Sequence, residues 1–205
     1  MYSSFESFKN NLFKSNELIV LYDYTSNNLK TMNFDDLLRA YYVYSVSAFD
    51  KFMHDIIRIG MIEIFQNKRL ATKKYLNEPI PIEIYNQIKN STSSSLPPDF
   101  YYFENEITRK LSFISYQHPN KISDGLSYIW DEDNKWQKIS DKIGQTKDTV
   151  KKTLINMVSR RNQIVHEADM DLSTGEKYKI EKIDADKVGN FIYSCGHAIY
   201  SLVKI

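Results

Sequence analysis

The chain has one cysteine, five prolines and six glycines among its 205 residues, and its formal net charge is only +1. A single thiol, Cys195, excludes an internal disulfide framework and fits a reducing compartment. So few prolines and glycines disfavour a turn-rich β fold and suit long helices. A near-neutral charge leaves no global electrostatic footprint for nucleic acid, so any RNA-binding surface must be a local patch. No apolar run reaches the ~18 residues that a membrane span needs. The stretch from Met1 to Lys14 mixes charges among its apolar positions and lacks the core of a signal peptide. Also missing are a glycine-rich phosphate loop, a His-Glu-x-x-His zinc site and a nucleophile elbow. The expectation is a cytoplasmic protein with no membrane segment, no metal site and no other cofactor.

What is present reads as helix. Hydrophobic residues make up 42% of the chain and charged ones 26%, enough for a sizeable core under an ordinary surface. The length suits one domain, residues 1–205. Phe5, Phe8, Leu12, Ile19 and Tyr22 recur at near-helical spacing from about Ser4 to Ser26, with a break expected near Ser15. Asn33 resembles an N-cap, with Asp35 and Asp36 in the first turn, and nothing except Gly60 interrupts the helix from there to about Asn67. Such a helix is roughly 50 Å long. Residues 68–130 are less regular and read as a helical insertion, with short helices near 81–88, 99–114 and 121–130. His118-Pro119-Asn120 reads as the end of a helix. Further helices are expected over about 134–143, stopped by Gly144, and from Thr146 to about His166. A polar connector at 171–181 leads to a last helix capped by Asp184. The fold class is all-α, an antiparallel helical bundle.

The segment from Met157 to Asp169 carries the chemistry. An Arg followed five positions later by His, here Arg161 and His166, is a weak pattern, expected by chance in about one such chain in ten. Its placement strengthens it. At 100° per residue the apolar arc of this helix covers about half its circumference, and Arg161 falls near the centre of that arc. Asn162 and His166, one turn apart, sit together at one edge beside Ile155. So wide an arc exceeds what one intrachain groove needs and suits a second surface as well.

An arginine centred on an apolar arc is costly unless its charge is paired. Asp50, with His54 one turn beyond it, is a candidate partner, and a structural Arg–Asp bridge beside a satisfied histidine is one reading of the pattern. The other reading is cleavage of RNA without metal. That needs a base for the 2′-hydroxyl, an acid for the leaving 5′-oxygen and a cation for the phosphorane charge. Histidine does the first or second. Arginine matches phosphate with a fork of donors. Asn162 is placed to orient the imidazole or to hold a phosphate oxygen. From Lys135 to Arg161 there are eight basic residues against Asp141 and Asp148. Lys147, Lys151 and Arg160 are therefore candidate RNA contacts, although an ordinary solvated helix face looks the same. Cys195 with His197 reads as core rather than as a metal pair, and the Tyr41-to-Tyr44 and Phe100-to-Phe103 clusters as core or interface.

These residues resemble the HEPN superfamily, and most closely its RiboL-PSP-HEPN branch. The family's mark is Arg, a polar residue, three to five further residues, and His; here it is Arg161-Asn162-Gln163-Ile164-Val165-His166, followed by Glu167-Ala168-Asp169. Upstream, the run from Tyr44 through Asp50 and His54 to Ile56 resembles that branch's long second helix. The resemblance spans roughly Asn33 to the C-terminus and draws little from 68–130. It implies a HEPN-like four-helix core with additional helices, and a homodimer in which two Arg–His motifs face each other. It also implies ribonuclease activity of the kind used in bacterial antiviral defence and toxin–antitoxin systems, with an antitoxin or defence partner. It assigns Arg161 and His166 as catalytic, then Asn162, and Asp50 and His54 only as neighbours of the site. The chain has Glu167-Ala168 where nucleotidylation-silenced members end in His-x-Tyr. A catalytically inactive HEPN dimerisation or ligand-binding module, and a purely structural bundle, stay open at this point.

Overall fold

The computed structural model describes residues 1–171 and 173–204, and among them nine helices and no strand beyond one isolated bridge. Four long helices make the frame: α1 (Tyr2–Asn28), α2 (Asp35–Phe65), α8 (Lys147–His166) and α9 (Lys182–Val203). Between α2 and α8 run α3 (Lys73–Leu76), α4 (Ile82–Lys89), α5 (Asp99–Leu111), α6 (Pro119–Leu126) and α7 (Lys135–Ile143).

Helix α2 is the spine. It is free of proline over 31 residues and buries Leu38, Tyr42, Val46, Phe49, Phe52, Met53, Ile56 and Ile57 against the helices around it. Its N-cap residue is Phe34, one position after Asn33. The Asn33 carboxamide nonetheless accepts from the Asp35 amide at 2.7 Å, so it satisfies a first-turn donor as expected of a cap. The chain directions follow from contacts at the ends. The Met1 amino group reaches Glu63 at 3.9 Å, so α1 runs antiparallel to α2. Lys182 pairs with Asp23, and Arg69 donates to the Val203 carbonyl at 2.7 Å, so α9 runs alongside α2 in the same direction. Ile164 and Ala168 share a groove with Ala40 and Val43, which sets α8 antiparallel to α2.

One buried apolar cluster unites these helices, and it includes Phe103, Ile107, Leu111, Ile122, Leu126 and Ile129 from the 68–130 segment. Two glycines of α9 permit close approaches: a Cβ at Gly189 would overlap the Tyr41 hydroxyl, and one at Gly196 would overlap the Phe8 ring. Cys195 is fully buried, and burial pushes its thiol far up, as a small core residue.

Three local expectations are corrected. Helix α1 continues through Ser15, whose hydroxyl donates to the Leu12 carbonyl at 2.7 Å and needs no break. His118-Pro119 opens α6 rather than closing the previous helix: His118 Nδ1 accepts from the Asn120 amide, and Pro119 occupies the first turn. Helix α9 begins at Lys182 behind Glu181, which puts Asp184 in its first turn instead of at its cap. By contrast, Gly144 stops α7 at φ 77°, and Thr146 caps α8 by accepting from the Thr149 amide. No helix among the described residues is long and apolar enough to cross a membrane.

Candidate active site at the end of helix α8

The apolar arc of α8 is divided in two by the fold. Val150, Leu154 and Met157 are buried, and they are the half that meets α2 and α7. The other half is open: Ile155 is 42% exposed and Val165 45%, while Val158 is half-buried. Asn162 and His166 are both exposed, and helical periodicity sets them on this open flank with Ile155 and Lys151.

Arg161 continues the buried line of Leu154 and Met157 at the point where the core ends. It is half-buried, and its Nε is enclosed with no hydrogen-bond partner. Its Nη1 donates to Asn162 Oδ1 at 3.1 Å. That bond matters for geometry. Positions five apart on a helix project about 140° from each other, so Arg161 and His166 do not converge by backbone placement alone. Bonding to Asn162 swings the guanidinium towards the flank that carries His166. The arrangement offers a fork of donors, a carboxamide N–H pair and an imidazole around one solvent-facing strip, a set able to hold a phosphate and move a proton beside it.

Asp50 and His54 are committed elsewhere. The Asp50 carboxylate accepts from the Tyr116 amide at 2.6 Å and from Gln117 Nε2 at 2.9 Å. His54 packs edge-on against the Tyr116 ring, with its Nε2 3.8 Å from Asp50. Both serve the turn between α5 and α6, and no hydrogen bond or ion pair joins them to Arg161 or His166 among the described residues.

An arginine–aspartate bridge does exist, made by the neighbouring arginine. Arg160 Nη2 donates to Asp169 Oδ2 at 2.8 Å, and its guanidinium lies 5.4 Å from the Tyr178 ring centroid. The same carboxylate oxygen accepts from Arg39 Nε at 2.7 Å. Arg160 therefore faces the connector after α8, away from the open flank, and its expected place on an RNA track is corrected. Lys147 is exposed and Lys151 half-buried on the motif's own flank. Sequence reasoning gave no role to Arg39 or Asp169. One signal was available for Arg39: it heads a stripe, with Tyr42, Val46, Phe49 and Met53, in which every other member is apolar and buried.

Near the site, Lys177 donates to both oxygens of Asp36, and that bond holds the Asp36 carboxyl below the usual carboxylate range. A groove of about 360 Å³ runs between α2 and the last turn of α8, with Tyr44, 58% exposed, on its wall.

No curated protein and no solved structure matches this chain. A family model described as RiboL-PSP-HEPN does match, over residues 9–204. With an all-helical frame, and with the Arg–Asn–His motif at the exposed end of α8, the chain belongs to the RiboL-PSP-HEPN family.

Proposed function

We propose that the chain is a metal-independent endoribonuclease that works through Arg161, Asn162 and His166. One observation carries the reading: Arg161, its Nε buried without a partner, is drawn by Asn162 to the flank where His166 is exposed. A guanidinium that no carboxylate neutralises among the described residues, turned to the helix flank that carries an exposed imidazole, suits a phosphodiester.

In the reaction, an imidazole takes the proton of the 2′-hydroxyl as the 2′-oxygen bonds to phosphorus. The bond from phosphorus to the 5′-oxygen then breaks, and an imidazolium protonates that oxygen. The products are a 2′,3′-cyclic phosphate and a free 5′-hydroxyl. Arg161 meets the charge that grows on the phosphorane, and the Asn162 N–H groups hold a non-bridging oxygen. Base and acid act on opposite sides of the phosphorus, so a second copy of the chain supplies the second histidine. The open half of the α8 arc, with Ile155, Val158 and Val165, supports this, since a homodimer would cover it and dry the site. The family resemblance carries the setting we propose: the cytoplasm, in antiviral defence or a toxin–antitoxin pair, with an antitoxin or defence-system partner.

Lys147 and Lys151 extend the flank towards the start of α8 and are the proposed contacts for the RNA backbone. Lys151→Ala is expected to weaken binding to all single-stranded sequences alike and to flatten the plot of log affinity against log salt by about 0.7. Fluorescence anisotropy over a salt series measures both. For the function itself, the test is incubation of RNA with the protein in EDTA, beside His166→Ala. Cleavage by the wild type alone agrees with the proposal. Binding without cleavage by the wild type would favour an RNA-binding module instead.

A further inference from the structure

Behind the motif lies a buried ion cluster that the cleavage chemistry does not use. Helix α8 ends at His166, and the chain then reverses through two consecutive left-handed residues, Ala168 at φ 53° and Asp169 at φ 59°. Neither is glycine, so the reversal is conformationally uphill and must be held by its surroundings. What holds it is the Asp169 side chain, which is 0% exposed. Its Oδ2 accepts from Arg39 Nε at 2.7 Å and from Arg160 Nη2 at 2.8 Å, and Arg160 Nη1 also meets Oδ1. Arg39 reaches on to the Tyr178 carbonyl at 2.6 Å, and the Tyr178 amide returns to the Asp169 carbonyl at 2.8 Å. The Asp169 amide donates to the Gln163 carbonyl at 3.0 Å, which also accepts from the Glu167 amide. The final turn of the helix is thus tied off by the residue whose carboxylate is buried.

The placement of this cluster is informative. Arg160 is the residue before Arg161, and Asp169 lies three residues after His166, so one ion pair brackets the whole motif. Arg39 fastens that bracket to α2. We propose that Asp169 is a positioning residue: held by Arg39 and Arg160, it keeps the last turn of α8 wound and so fixes His166 relative to Arg161. Its part in cleavage rests on the ribonuclease reading; its part in the helix end does not. Without the carboxylate, Arg160 would lose its ion-pair partner, Arg39 would keep only the Asp36 carboxylate, 3.2 Å from its Nη1, and the left-handed reversal would lose its anchor. His166, in the last turn and with no side-chain hydrogen bond among the described residues, would be the first motif residue to move.

The test is native-state hydrogen exchange on Asp169→Asn, joined to single-turnover cleavage. Exchange at the amides of Val165, His166 and Glu167 is expected to rise at least about tenfold, with the core of α2 unchanged, as in a local opening. In cleavage, kcat is expected to fall with KM unchanged. Adding Asp169→Asn to His166→Ala should then cause no further loss, because both act through one imidazole. The proposal is overturned by unchanged exchange in the last turn, or by exchange that rises equally in α2 and α8, the mark of a general staple. Should Asp169→Asn fail to fold, Arg160→Gln leaves Arg39 on the carboxylate and is expected to show the same local pattern more weakly. Exchange needs no RNA. Localised opening in a protein that never cuts RNA would leave the clamp standing and remove the ribonuclease reading.

Discussion

Replacing His166 with alanine is expected to lower single-turnover RNA cleavage by about 10²–10⁴-fold, the usual worth of a positioned proton-transfer group. Stability should move by no more than about 0.5 kcal/mol, as for a surface substitution. Both halves follow from its place. The residue is exposed in the last turn of α8, outside the buried cluster, and its side chain has no hydrogen-bond partner among the described residues. It does nothing for the fold that alanine, a better helix former, cannot do. Denaturant unfolding alongside the cleavage assay separates the two effects. A large loss of stability would place the histidine in the structure rather than in the chemistry.

Arg161→Ala is the second large effect. Cleavage should drop by about 10²–10³-fold, the loss typical of removing one donor to a developing oxyanion. Had Arg161 been half of a buried ion pair, its loss would also cost about 3–5 kcal/mol of stability. Among the described residues there is no such pair: its Nη1 bonds Asn162, and its Nε has no hydrogen-bond partner. We expect a change below about 1 kcal/mol, since the packing of the stem is offset by removal of an enclosed, unpaired N–H. Arg161→Lys keeps the charge but loses the fork that binds Asn162 and a phosphate oxygen together, and should recover little of the rate. Guanidinium chloride unfolding and single-turnover rates on the same preparations decide the matter.

The sequence made the long elements legible because their signals are local. Absence of proline from α2, the Gly144 stop and the Thr146 cap each act within a turn or two of the residue that carries them. The azimuths of Arg161, Asn162 and His166 were legible for the same reason, as was the excess width of the apolar arc, half of which the fold leaves open. Pairing was not legible. An Arg–Asp bridge was foreseen as one reading of the motif, but with Arg161 and Asp50 as its members. The bridge that forms joins Arg160 to Asp169 and to Arg39, which is 130 residues away from Asp169 in the chain. Neither periodicity nor spacing says which of two adjacent arginines meets a carboxylate, because that depends on where the connector folds back. Asp50 was lost to a similar cause: the turn between α5 and α6 brings it the Tyr116 amide, which no local pattern announces. Ser15 and His118 show the complementary error, in which a residue with turn-forming habits satisfies itself within or at the start of a helix.

The most direct measurement of the central claim is end-group analysis of an RNA cut in EDTA, beside the same RNA carrying one 2′-deoxy position at the cleaved step. The all-ribose strand should give a 2′,3′-cyclic phosphate and a 5′-hydroxyl, with no cut at the deoxy step and neither product with His166→Ala. Cleavage at the deoxy step, or the same products from His166→Ala, would contradict that claim.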